Sequence, residues 1–355
     1  MRVNIHRAGV VLGLLGQLLP ASSHSDHKHK RCPDFPPGTI TINSYQLYPE
    51  NFSWDPVKCQ VYLSALYNDS IAVYNPATKD IKTIIIPGQN LDVSLHIAGT
   101  IWDKYSSLVS SVTTNAFTIR SGGTNISGDN WLNKYDPASG KFLWQTNLTT
   151  VSQGRYGFFN DVTHDRFGNT WVCGTFPGTI IKVDKTGKHI DEWYIPKKFN
   201  QTESGFTGID SVGNTLLVVD EGKGALFRFN MRDKKGKEPI KVDVKPVPTI
   251  VRSDAMRLPD KYGGKVLLIT DQSRGVLVLR SKDTWRTAEY LGVVPTNTTL
   301  PPGSLVAAVS QIGERIYALP NWFFEPKVPG TLAGNRTTFY LVDITRQVES
   351  LLKHG

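Results

Sequence analysis

Apolar and polar residues alternate along this chain in short runs that end in Asp, Asn or Arg. Six such runs stand out: Ser70–Asn75, Asn130–Asp136, Thr179–Asp184, Ala225–Asn230, Val276–Arg280 and Thr338–Asp343. A period of two places every second side chain on one face, which is the pattern of a half-buried strand. Another strand is expected just before each run, near Val61, Ser107, Thr170, Thr215, Lys265 and Arg315. Two of these follow the same turn, Phe167-Gly-Asn-Thr170 and Val212-Gly-Asn-Thr215. The full unit is clearest over 157–194. It has a strand carrying Asn160-Asp161, a turn at 165–169, strands at Thr170–Gly174 and Thr179–Asp184, a Lys-Thr-Gly turn and a fourth strand.

A four-stranded antiparallel unit cannot bury both faces alone, and repetition at about 45–50 residues gives each unit its neighbours. The reading is therefore an all-β, six-bladed β-propeller with four-stranded antiparallel blades. The 31 Gly and 21 Pro suit many turns, and long helical patterns are absent. The alternating run Thr39–Asn43 precedes the first blade and is expected to close the ring on the last. Predicted organisation is a signal peptide over 1–23, an N-terminal arm over 24–36 and one propeller domain over 37–355.

The signal assignment rests on Arg2 and Arg7, the apolar run Ala8–Leu19 and the small residues at 21–23. That apolar run is too short to span a bilayer, and no other segment comes near the length required. A secreted or secretory-lumen protein is expected, without a transmembrane segment, acting as a monomer. The tail His24–Arg31, with three His and a dibasic end, reads as solvated. Seven N-x-S/T sequons fit export and predict exposed glycosylation sites at Asn51, Asn68, Asn125, Asn147, Asn200, Asn297 and Asn335. Of three cysteines, Cys32 and Cys59 are the expected disulfide, and Cys173, inside a strand, is expected to be a buried, inert thiol. Net charge is +9, but the basic residues are scattered apart from Arg232–Lys237, so nucleic acid is not an expected partner.

Propellers concentrate chemistry at one mouth of the channel, where the inner strands start. The positions there are Glu50–Trp54, His96, Phe158–Asp161, Phe206–Asp210 and Ser253–Met256, with Trp322–Glu325 on the last blade. A Ser-His-Asp triad, a Cys-His pair, a phosphate-binding Gly loop and zinc-type His/Cys spacing are not discernible. Asp161, Asp165 and Asp210 read as turn or strand-end residues, and Phe159 as interblade packing.

Blade three resembles the SMP-30/gluconolactonase/luciferin-regenerating family through Asn160-Asp161, Asp165, Gly168 and Gly174-Thr175. Glu50 with Trp54, and Asp254 in Ser253-Asp-Ala-Met256, match further family positions. The resemblance implies a divalent cation, Ca²⁺ or Zn²⁺, on Glu50, Asn160 and Asp254, activating water for lactone hydrolysis. Two departures oppose this: Thr207 replaces the family's second metal Asn, and Phe158 replaces its substrate-binding Arg. Over nearly the whole chain, Leu47–Asp55, Ser127–Asn130 and Gly174–Gly178 are similar to fungal propeller proteins of the trichothecene-cluster type. That likeness implies a small apolar, terpenoid metabolite and a cofactor-free cyclase or pericyclase. In this reading Trp54, Phe158, Phe206, Thr207 and Trp322 bind substrate, while Glu50, His96 and Asp254 move protons and Asn160 steadies a developing oxyanion. The alternatives are the metal-dependent lactonase and a non-catalytic ligand-binding or virulence propeller.

Overall fold

The computed structural model describes residues 32–33, 35–89, 95–115, 121, 124–198 and 200–354, and the side chains of residues 95, 96 and 115 are outside that description. The signal-peptide assignment and the His-rich tail also lie outside the described residues. Six antiparallel blades stand around a central channel. Their inner strands are Pro49–Asp55, Leu95–Asp103, Gly157–His164, Phe206–Val212, Ser253–Arg257 and Leu305–Ile312. Each of the six alternating runs became the third strand of a blade, as in Thr179–Val183 and Ala225–Asn230.

Ring closure follows from Ile40–Asn43, which pairs antiparallel with Thr338–Asp343, Ile40 facing Leu341 and Asn43 facing Thr338. The first strand thereby completes the last blade and removes an open sheet edge at that seam. Nearby, Cys32 and Cys59 form the expected disulfide, with Cα atoms 5.4 Å apart. Apolar side chains fill the gaps between blades. Phe52 and Leu63 meet Phe339 and Leu341 across the seam. Trp171 and Trp193 pack edge-to-face at 4.8 Å in the cluster that also takes blade-four side chains. Cys173 is fully buried there, and burial pushes its thiol far up, as an inert thiol requires.

Two features depart from the sequence reading. Blade five has a fifth strand, Asp243–Lys245, running parallel to Thr287–Pro295, while the outer strand of blade four is only Ile240–Lys241. Segments of two and three residues are too short for alternation to register. The second is a helix, Thr345–His354, where no helical pattern was expected. Its Val348, Leu351 and Leu352 recur at helical spacing. Val348 is fully buried, and Leu351 lies against Gly292 of blade five. No helix among the described residues is long and apolar enough to cross a membrane.

Candidate functional site

All six inner strands slip register against their neighbours close to their starts. The slips lie between Pro49 and Phe52, Ile97 and Thr100, Phe159 and Asp161, Phe206 and Gly208, Ser253 and Met256, and Val306 and Ala308. A bulge leaves its extra residue unpaired and re-aims its side chain. Glu50, Asn160, Thr207 and Asp254 all occupy these slips, at the same mouth of the channel.

Their contacts form a chain across the blades. The Asn160 amide Nδ2 donates to the Thr207 carbonyl at 2.6 Å and reaches Asp254 Oδ1 at 3.5 Å. The Thr207 hydroxyl shares a 2.8 Å hydrogen bond with Ser253 Oγ. Gln272 Nε2 donates to Asp254 Oδ2 at 2.9 Å. Glu50 is treated differently, since its buried Oε2 has no hydrogen-bond partner. The Asn321 Oδ1 at the same mouth is also buried and unmatched, while its Nδ2 holds the Pro49 carbonyl at 2.6 Å. Buried polar atoms without partners are costly, and a bound ligand is one way to satisfy them.

The two carboxyls sit in different surroundings, and their titration responds accordingly. Burial, reinforced by the charges of Asp254 and Asp161 and opposed by Arg257, pushes the Glu50 carboxyl well above the usual range. Burial also raises Asp254, to about 7, against the pull of the Gln272 and Asn160 amides. Amide donors favour the ionised form. The amides thus favour an ionised Asp254, while burial and the neighbouring negative charges favour a protonated Glu50.

Beneath them lies a buried ion pair. Arg257 grips Asp161 through two bonds, Nη1–Oδ2 at 2.8 Å and Nη2–Oδ1 at 2.9 Å. The Ile209 amide at 3.3 Å and Asn51 Nδ2 at 3.5 Å add to the Asp161 carboxylate. Blades one, three, four and five therefore meet on one carboxylate. Asp161 is an anchor across the channel, where the sequence suggested a turn or strand-end residue. Arg257 and Gln272 were missed as site residues, and Asn51, inside the mouth run Glu50–Trp54, was assigned only as a glycan acceptor. Arg257 had one available signal, its place on the blade-five inner strand directly after Met256.

Several expected site residues are elsewhere. Trp54 sits at the far end of its strand, packed edge-to-face on Phe35 at 5.2 Å, and lines the opposite mouth. Four residues of strand carry the chain about 13 Å, so Glu50 and Trp54 cannot share one mouth. Phe206 is buried in the core with Tyr194 and Phe229, leaving it no face for a ligand. Trp322 packs on Phe339 and Tyr340 and lies under the Arg336 guanidinium, 3.7 Å from the ring centre. Phe158 does line the mouth region, in a small apolar cluster with Ile126 and Phe176, and holds φ at +55°. Side chains other than Gly rarely take that conformation, so the fold around it must hold it there. His96 lies on the blade-two inner strand, facing Thr114 in register, and its side chain is outside the described residues. A different histidine is buried at the opposite mouth. His164 Nε2 meets Ser110 Oγ at 2.8 Å, and burial lowers its pKa to about 3. Among the sequons, Asn51 is 2 % exposed with its amide on Asp161, so it cannot carry a glycan in the folded chain. Asn68, Asn125, Asn200, Asn297 and Asn335 are exposed, and Asn147 is half-buried as a helix cap.

The donor set does not suit a hard cation. Such an ion takes six or more oxygen ligands, and among the described residues no group of three His, Cys, Asp or Glu is placed to hold a metal. Asn160 turns its NH₂, rather than its oxygen, towards Asp254. Thr207 commits its hydroxyl to Ser253.

Comparison with known proteins agrees with this architecture. The chain is 32% identical to trichothecene biosynthesis protein 14 of Trichoderma arundinaceum, over 96% of this chain and 98% of that protein. The crystal structure of the major Malassezia sympodialis allergen Mala s 1 superposes with a TM-score of 0.75 at 22% identity, covering 87% of this chain and 96% of that one. A gluconolactonase from Xanthomonas campestris superposes with a TM-score of 0.54 at 14% identity, over 88% and 91%, a likeness of fold alone. The sequence pattern of the Mal s 1 allergenic protein-like family matches residues 23–293, and this chain belongs to that family.

Proposed function

We propose that this chain acts in secondary-metabolite biosynthesis as a cofactor-free cyclase, closing a ring in an oxygenated terpenoid by proton transfer at the Glu50–Asp254 mouth. The observation that carries the reading is the pairing of two buried carboxyls in unlike surroundings. Asp254 is held by amide donors and Glu50 is left without one. Two titratable groups whose surroundings push them apart supply an acid and a base at one pH. The similarity to a trichothecene biosynthesis protein over almost the full chain supports a terpenoid pathway.

In the proposed step a substrate hydroxyl attacks a carbon bearing an oxygen leaving group. Asp254 takes the proton of the attacking hydroxyl, Glu50 gives its own to the departing oxygen, and one C–O bond forms as another breaks. Asn160 and Gln272 hold Asp254 in place. The Phe158–Phe176–Ile126 cluster offers an apolar wall, and holding the substrate folded lowers the entropic part of the barrier. The lactonase reading needs a cation that this donor set suits poorly.

The test uses purified protein and the oxygenated sesquiterpenoids that accumulate in a strain lacking it. Mass spectrometry should show conversion to a cyclic product, of equal mass or lighter by one water, unchanged by chelator. Glu50→Gln and Asp254→Asn should each lose at least about 10²-fold in rate. Full activity in both variants, or complete loss in chelator, would refute the proposal.

A further inference from the structure

The opposite mouth holds a cavity of about 360 Å³ lined by all six blades. Its walls include Trp54, Ile101, Trp102, Tyr105 and Leu258, and Asp210 lies among its polar groups. That volume falls within the range of small-molecule sites, which combine apolar walls with a few placed polar groups. The bidentate Asp161–Arg257 pair stands between this cavity and the Glu50–Asp254 mouth, so the two are separate.

One polar group there has unused capacity. Asp210 accepts from the Thr163 hydroxyl at 3.1 Å and from the Ser211 and Leu258 amides, both at 2.7 Å. Lining residues form the ion pairs Lys104–Asp260, Lys134–Asp103 and Arg257–Asp161, and Asp210 belongs to none of these. A carboxyl on an otherwise largely apolar wall suits a hydroxyl, which can donate to it.

Lys104 follows the inner strand of blade two and Asp260 follows that of blade five, three blades away in a ring of six. Their 2.6 Å contact therefore spans the mouth. Both side chains are well exposed, at 47% and 68%, and such pairs contribute little to stability and weaken with salt. The contact is a bar that opens at small cost.

We infer that this mouth is a second binding site, for a small uncharged apolar molecule bearing a hydroxyl, closed by the Lys104–Asp260 pair. The ligand's hydroxyl meets Asp210, and its body lies on Trp54, Ile101 and Tyr105. The lining carries the carboxyls of Asp103, Asp210, Asp260 and Glu314 against the cations Lys104 and Arg257, and Arg257 is already committed to Asp161, so an anion is disfavoured.

The test is titration of ¹⁵N-labelled protein with cyclohexylmethanol and, separately, cyclohexanecarboxylate, following the indole signals assigned through Trp54→Phe and Trp102→Phe. The alcohol should shift both signals saturably and the carboxylate neither. Asp210→Asn should weaken the alcohol about tenfold, and Lys104→Ala should tighten it and remove its dependence on salt. Lys104→Ala alters only an exposed side chain and leaves the mouth open, so absence of a saturable shift in that variant overturns the inference. Equal binding of the carboxylate does the same.

Discussion

Asp161 of blade three and Arg257 of blade five are joined by two bonds of 2.8 and 2.9 Å across the channel, both side chains almost wholly out of solvent. A forked, buried pair of this kind fixes geometry more than it adds net stability, but removing one member strands the other's charge. Arg257→Met is expected to cost about 3–5 kcal/mol in denaturant unfolding. Arg257→Lys should recover only part of that, since an ammonium cannot reproduce the fork. The Asp161→Leu/Arg257→Met double variant should lose clearly less than the sum of its single changes.

The strand that carries Asp161 also explains a glycine. A Cβ at Gly99 would stand 3.1 Å from the Asn160 carbonyl and 3.3 Å from Asp161 Oδ1. Gly99→Ala is expected to destabilise by about 1–3 kcal/mol through crowding. Because the nearest obstructions are backbone atoms, the Asn160 carbonyl and Asp161 Cα at 3.2 Å, the effect should persist in the Asp161→Leu/Arg257→Met background.

Stability should depend on pH in two opposed limbs. Glu50 and Asp254 have raised pKa values, so the folded chain binds more protons than the unfolded one. Their contribution is fully present below about pH 4 and falls as pH rises, through about 7 for Asp254 and through the raised pKa of Glu50. His164 is depressed to about 3, so its contribution is present above about pH 6.5 and is lost as pH falls towards 3. Glu50→Gln should therefore be nearly neutral at pH 4 and stabilising at pH 9. Urea unfolding at pH 4, 6 and 9 measures both limbs.

Phe158 and Phe206 should separate in experiment although both are expected from the sequence to bind substrate. Phe206 is 1 % exposed in the interblade core, and Phe206→Ala should cost about 3–5 kcal/mol. Phe158 lies in a small cluster beside Asn160, and Phe158→Leu should cost less than about 1.5 kcal/mol. Its main effect is expected in substrate affinity.

That contrast shows where the sequence is informative. The third strands alternate cleanly because one face of each is packed and the pattern survives burial, so six blades and the closing Ile40–Asn43 strand were legible. Glu50, Asn160, Thr207 and Asp254 could be grouped because each sits at the same point of its repeat. Bulges leave no mark in a single sequence. They place Thr207 at the channel mouth while Phe206 beside it goes to the core, and they break the alternation on which the wall assignment depended. Trp54 was misplaced because proximity in sequence becomes distance along an extended strand. Arg257 was missed because its importance comes from Asp161, two blades away.

The central claim is that Glu50 holds a proton beside an ionised Asp254. Infrared titration of the carboxylic acid band in wild type, Glu50→Gln and Asp254→Asn tests it without knowledge of the substrate. The account predicts a protonated carboxyl that persists above pH 7 in wild type and in Asp254→Asn, and disappears in Glu50→Gln. Absence of that band in wild type at pH 7.5, or its loss in Asp254→Asn alone, would contradict the assignment and the acid–base mechanism built on it.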